Sequence, residues 1–204
     1  MYQQTLSFGW LSLAWEALLE GAWLTIWLTL QALVLGSLIA IVGAWAKTSG
    51  PRFLGIVFSA YVEIIRNTPF LLQLFFFFFG LPSVGIFLTP TQTALLAMVV
   101  NLGAYATEII RAGVEAIPHG QVIYPPLAGQ FTMVLLGSSL ASAISAHELT
   151  SAANIIATAN FRTLEVYFVV TLIYLVIVFF FRGLFALFYN FVLARSPDQR
   201  MKLL

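Results

Sequence analysis

The sequence contains no cysteine, which excludes disulfides, thiolate metal sites and a cysteine nucleophile. Charge is nearly as scarce. Asp, Glu, Lys and Arg make up 8% of the 204 residues, against about 25% in an average soluble domain. A chain so poor in charge cannot cover a water-facing surface, so a soluble enzyme is excluded first. An excess of either sign is missing as well. Nine Lys and Arg against eight Asp and Glu leave a formal +1, with no basic footprint for nucleic acid. His119 and His147 stand alone, and nothing completes a metal site around them. No G-x-x-x-x-G-K-[ST] loop occurs, so the chain is expected to bind no ATP or other cofactor itself. No nucleophile–base pair is recognisable either. Apolar residues are what the sequence has in plenty: 61% hydrophobic, 15% aromatic, mean hydropathy +0.97. Disordered chains show the opposite composition. These numbers describe an integral membrane protein.

A helix crosses the hydrocarbon with about 20 mostly apolar residues. Five such spans can be marked, at about 21–46, 55–80, 90–112, 126–146 and 164–182. The expected fold is therefore all-α, one domain built as a bundle of five transmembrane helices. Thr89-Pro90 supplies a cap and a first helical residue for the third. After the fifth, Arg182 is expected to snorkel, with Gly183 to Ala194 as an apolar stretch at the interface. Phe75 to Phe79 read as lipid-facing or packing bulk. Lys47, Arg52, Arg111, Arg195, Arg200 and Lys202 fall on one side of these spans and Arg162 alone on the other. By the positive-inside bias the N-terminus is expected outside and the C-terminus inside. The first basic residue is Lys47, so no cleavable signal peptide is expected.

Ionisable and amide side chains inside spans are costly, which makes them candidates for a substrate pathway. Glu63 and Arg66 stand three residues apart and can partly neutralise each other, as a structural pair or as part of a pathway. Pro69 follows in the same helix and is expected to kink it. Gln73 lies one turn further on. In the third span Asn101, Tyr105, Glu108, Ala112 and Glu115 recur at steps of four and three, which is one helical stripe. Counted from Pro90, Asn101 lies roughly 16 Å down, near the midplane. It is a substrate contact or an interhelical hydrogen bond. Ser138, Ser139 and Ser142 beside Gly137 make the fourth span small and polar, as packing or as pathway lining. Glu63-Ile-Ile-Arg66 recurs as Glu108-Ile-Ile-Arg111, read as coincidence or shared local chemistry.

The stretches Tyr61-Val-Glu-Ile-Ile-Arg-Asn-Thr-Pro69 and Ala104-Tyr-Ala-Thr-Glu-Ile-Ile-Arg-Ala-Gly-Val-Glu-Ala-Ile-Pro-His-Gly-Gln121 resemble the polar amino-acid permease subunits of bacterial ABC importers. Tyr124-Pro-Pro-Leu127, Ser139-Leu-Ala-Ser142, Glu148-Leu-Thr150 and Glu165-Val-Tyr167 continue the resemblance along nearly the whole chain. It implies a five-span permease of the bacterial inner membrane that takes up amino acids. The implied partners are a second permease subunit, two cytoplasmic ATP-binding subunits that hold ATP and Mg, and a periplasmic amino-acid-binding protein. It also implies that Arg111, Glu115, Pro118, His119, Gly120 and Gln121 lead into the ATPase contact. There the sequence departs from the family pattern. Gln121 runs directly into Val122-Ile-Tyr-Pro-Pro126, and the cytoplasmic coupling loop expected after Gln121 is missing. A second departure is Gly137-Ser138, where relatives often carry Lys and then an acidic or polar residue. The residues alone leave two other readings: an ion-coupled carrier or channel using Glu63, Glu108 and their arginines, or a non-transporting membrane subunit.

Overall fold

The computed structural model describes residues 7–116 and 123–193, and all regular structure in them is helical. The elements are α1 (Leu11–Thr48), α2 (Arg52–Arg66), α3 (Phe70–Ser83), α4 (Pro90–Glu115), α5 (Tyr124–Gly137), a 3-10 segment (Ser138–Ile144), α6 (Leu149–Asn160) and α7 (Thr163–Phe188). A π-helical turn, Tyr189–Leu193, continues α7.

α1 begins ten residues before the span expected at 21–46. Glu16 and Glu20 are both exposed, so their charges do not interrupt the helix. Its 38 residues rise about 57 Å, well beyond a hydrocarbon layer of about 30 Å. Outward it presents large apolar groups, among them Trp23 and Trp27, whose rings stack 6.4 Å apart. Inward it is small: Gly21, Thr25, Ala32, Gly36, Ala40 and Gly43 are buried. Lipid is as apolar as leucine, so close contact between small residues, rather than escape from water, drives such helices together.

That contact fixes the topology. A methyl group on Gly36 would lie 2.9 Å from Leu102, and one on Gly43 would lie 2.5 Å from the Thr107 hydroxyl. Further along, Lys47 meets Glu108 at 2.8 Å. The partners advance in the same sense on both helices, so α1 and α4 run parallel. The chain between them must return through the same thickness, and α2 and α3 do so as one broken crossing, bent by 107°. With the four long apolar segments this makes five crossings. At its start α4 carries the expected cap. Thr89 Oγ1 accepts from Gln92 N at 3.2 Å, and Gln92 Oε1 accepts from Thr89 N at 2.9 Å.

The segment expected at 126–146 is α-helical only to Gly137 and then tightens into the 3-10 segment. It is followed by α6, which lies between the fourth and fifth expected spans. α6 packs on the first half of α1, where Gly21 touches Leu149. Its first turn is satisfied entirely by side chains. Glu148, fully buried, accepts from Thr150 N at 2.7 Å and Ser151 N at 2.9 Å, and Thr25 Oγ1 accepts from Leu149 N at 3.2 Å. Tyr174 of α7 donates to the same carboxylate at 2.9 Å. α7 runs past 182 to Phe188, so Gly183 onward continues the helix instead of forming a separate interfacial stretch. Arg182 is exposed on it. Of the phenylalanine run, Phe76 and Phe79 face outward, while Phe75, Phe77 and Phe78 pack on the Leu74–Ala94–Ala97 cluster.

Replacing Glu148 by Leu would leave the buried Thr150 and Ser151 N–H groups without their acceptor and the Tyr174 hydroxyl with Thr150 Oγ1 alone, at a cost of about 2 kcal/mol or more. Thermal unfolding in detergent should show a clear loss of stability for Glu148→Leu and a much smaller one for Glu148→Gln, which keeps an acceptor oxygen.

Candidate functional site

The expected kink at Pro69 is a complete break. A proline disfavours helical backbone in the residue before it, and its ring nitrogen cannot donate to the carbonyl four residues back. α2 therefore stops at Arg66, and α3 starts after an extended Pro69 (φ −61°, ψ 137°). Gln73 supplies the missing donor. Its Nε2, buried, donates to Ile65 O at 2.7 Å, the carbonyl Pro69 would have served, and to Thr68 O at 2.9 Å. Thr68 Oγ1 donates to Ile64 O, and Asn67 Nδ2 to Glu63 O, each at 2.9 Å. The open end of α2 is thus closed by side chains. Asn101 of α4 donates to Gln73 Oε1 at 3.0 Å and ties the break to the α1–α4 pair.

Beside the break lies an open cavity of about 760 Å³. Arg66 to Phe70 form one wall, Met98, Asn101 and Tyr105 of α4 the second, and Gln130, Met133 and Gly137 line it from α5. The Arg66 guanidinium carbon lies 5.5 Å from the centre of the Tyr105 ring, and Tyr105 donates to Arg66 O at 3.3 Å. The α4 stripe is therefore real, and both Asn101 and Tyr105 face the cavity. Asn101 serves as interhelical glue through Nδ2, yet its Oδ1 has no protein partner among the described residues. The Gln130 amide has none either.

Three expectations need correction. Glu63 and Arg66 form no ion pair; Glu63 accepts from Asn67 Nδ2 at 2.9 Å instead, outside the cavity lining, and Arg66 is left without a carboxylate partner among the described residues. Ser138 and Ser139 do not line the cavity. Their hydroxyls turn back onto Leu135 O at 2.6 Å and Leu136 O at 2.7 Å, the carbonyls that a 3-10 continuation brings within reach. Gln73 lies behind the wall as support and is not part of the lining. Gln130 and Gly137 join the lining from α5, and the sequence marks Gln130 only as an amide in a mostly apolar helix.

At the far end of α4 a charge cluster joins α1. Glu108 accepts from Lys47 Nζ and from Arg111 Nε, both at 2.8 Å, and Arg111 also bonds Glu115. The repeated Glu-Ile-Ile-Arg tetrapeptide thus does two different things. In α4 the pair closes, with a lysine from the neighbouring helix. In α2 it stays open, because Asn67 takes the glutamate and the helix ends at the arginine. Pro118, His119, Gly120 and Gln121 lie outside the described residues. Ile123, just before α5, lies against Gly113 near the end of α4.

Five helical crossings, one broken around a polar cavity, define a multi-pass membrane protein. Residues 32–124 match the family described as binding-protein-dependent transport system inner membrane component. The chain is 35% identical to the L-cystine transport system permease protein TcyB of Bacillus subtilis, over 81% of this chain and 82% of that one. It is 30% identical to the glutamine transport system permease protein GlnP of Escherichia coli, over 98% and 100%. Its fold matches a crystal structure of an amino acid ABC transporter with histidines, with a TM-score of 0.83 and 30% identity over 91% of this chain and 98% of that one. The chain belongs to this family of binding-protein-dependent ABC transport permeases. It is a transporter subunit and not an enzyme. The glutamine permease alignment runs over 229 positions, more than the 204 residues of this chain, so parts of that relative have no counterpart here.

Replacing Gln73 by Leu would uncover Thr68 O, leave Ile65 O only the longer bonds from Thr68 N and Oγ1, and release the Asn101 amide. A destabilisation of about 2 kcal/mol is expected, with faster hydrogen exchange at residues 65–73 than at the α1–α4 contact. Uniform exchange along the chain would show that Gln73 does not hold the break.

Proposed function

We propose that this chain is the permease subunit of an ABC importer for polar amino acids, and that the cavity at the broken helix is where the cargo rests. One observation carries the assignment of the site: Arg66 presents an unpaired guanidinium to the cavity between two helix ends of opposite polarity. The first N–H groups of α3 have no acceptor within their helix and, with Arg66, favour a carboxylate. The last carbonyls of α2 are already taken by side chains, so the ammonium of a zwitterion falls to side-chain oxygens of the lining. Asn101 Oδ1 and the Gln130 amide are left to bond the rest of it, and Tyr105 holds Arg66 in place.

In this reading the chemistry is conformational. The periplasmic binding protein delivers an amino acid, a second permease completes the route, and two cytoplasmic subunits bind ATP with Mg and drive the change of access. The relatives' names, glutamine and L-cystine transport permeases, support this cargo class. The N-terminus faces outward in the bacterial inner membrane, so that Lys47, Arg111 and Glu115 lie on the ATPase side. The end of α4 and the segment through Gln121 form the entrance to the ATPase contact, and the Lys47–Glu108–Arg111 cluster carries its movement to α1.

Arg66→Gln should weaken uptake at least tenfold in affinity while leaving assembly intact, and Asn101→Leu should act in the same direction with less effect. Reconstituted vesicles provide the assay. Uptake that needs interior ATP and the external binding protein supports the proposal. Uptake driven by an ion gradient alone would overturn it. Inserting the family's coupling loop after Gln121 should strengthen ATPase binding and cargo-stimulated hydrolysis; equal binding with and without it would place the coupling contact elsewhere.

A further inference from the structure

The cavity has a charge inventory that can be read helix by helix. α3, α5 and the 3-10 segment contain no charged residue. α2 contributes Arg52, Glu63 and Arg66, and only Arg66 lines the cavity. α4 contributes Glu108, Arg111 and Glu115, all taken up by one another and Lys47 at its far end. Among the described residues the cavity therefore holds one positive group and no carboxylate. The remaining polar lining is neutral: Asn67, Thr68, Asn101, Tyr105 and Gln130.

From this, and resting on the reading of the cavity as the amino-acid site, we infer that it takes amino acids whose side chains carry no positive charge, and that Gly137 is the position that sets this selectivity. With the cargo's own carboxylate on Arg66, a cationic side chain would have to give up water in a lining that holds no carboxylate among the described residues, and burying an unpaired charge is costly. An amide or hydroxyl side chain meets no such penalty, because Gln130 offers a donor and an acceptor without a protein partner. Gly137 is the gap in the wall. A Cβ built on it comes no closer than 3.8 Å to its nearest neighbour, the Phe70 ring, which is ordinary contact. The backbone there is ordinary helix (φ −63°, ψ −24°), so a side chain is excluded neither by strain nor by space. With glycine, this wall stays neutral. With an acid, the same wall would hold a counterion for a lysine or arginine side chain.

The test uses the permease in complex with its ATPase subunits in lipid nanodiscs, without binding protein, so that the binding protein's own selectivity does not enter. Equilibrium binding of radiolabelled L-glutamine and L-lysine is measured on the native chain, on Gly137→Asp and on Gln130→Glu. The last changes charge with almost no change of volume. Native complex should bind glutamine at least tenfold more tightly than lysine, and each folded variant should narrow that ratio tenfold or more. Equal binding of lysine and glutamine by the native complex would overturn the inference while leaving the amino-acid permease assignment standing. An unchanged ratio in a folded Gly137→Asp would overturn the role of Gly137, and an unchanged ratio in Gln130→Glu would overturn charge as the basis of the selectivity. Binding of neither amino acid would remove the cavity as a cargo site, and the inference with it.

Discussion

Inside a membrane no backbone carbonyl can be left to water, and the structure around Pro69 is organised by that constraint. The proline opens the helix, and the cost of opening it falls on Ile65 O and Thr68 O. Gln73, folded back from the following helix, covers both. Its own oxygen is then held by Asn101, so the break is fastened to the α1–α4 pair. Only because these groups are satisfied can two helix ends face a shared cavity in the bundle. The polar character of the cavity is thus a product of how the break is closed.

The remainder of the bundle follows from size rather than polarity. Gly36 and Gly43 let α4 approach α1 so closely that a methyl group would collide with Leu102 or Thr107. Large residues, by contrast, are directed outward: Trp23, Trp27, Phe76 and Phe79 all lie on the exposed surface. This inverts the arrangement of a soluble domain, where large apolar residues fill the interior. The two buried carboxylates of the α6–α7 region, Glu148 and Glu165, are tolerated because each has partners: a helix start and a tyrosine for the first, Arg162 at 3.3 Å for the second.

How much of this could be read from the sequence depended on whether the signal was local. The α4 stripe was legible because helical periodicity fixes which side chains share a face, and Asn101 and Tyr105 share the cavity wall. The Thr89–Pro90 start was legible because capping involves only neighbours. The start of α1 was not, since Glu16 and Glu20 look like boundaries to a hydropathy count and are simply solvated on the exposed side. The break at Pro69 was read as a kink because whether a proline bends or severs a helix is decided by what can replace the lost donor, here a glutamine four residues on. Ser138 and Ser139 looked like lining, but the 3-10 turn gave their hydroxyls nearer acceptors. α6 was invisible because its apolar run is short and its cap, Glu148, is a charged residue that burial usually excludes. Gln130 and Gly137 acquire meaning only when α5 is placed across from the break.

The parallel contact between α1 and α4 has a mechanical consequence. Two helices locked along their length by glycine and alanine behave as one stiff beam, and the charge cluster of Lys47, Glu108 and Arg111 clamps them near one end. A paired stretch as long as α4, about 39 Å, multiplies angle into distance: each degree of tilt about the clamped end displaces the other by about 0.7 Å. A few degrees imposed at the base would therefore carry the far end of the pair by about 2 Å, while the break, lying between, moves only part of the way. The same small residues that hold the bundle together thus make it a lever, with the cavity near the middle of its arm.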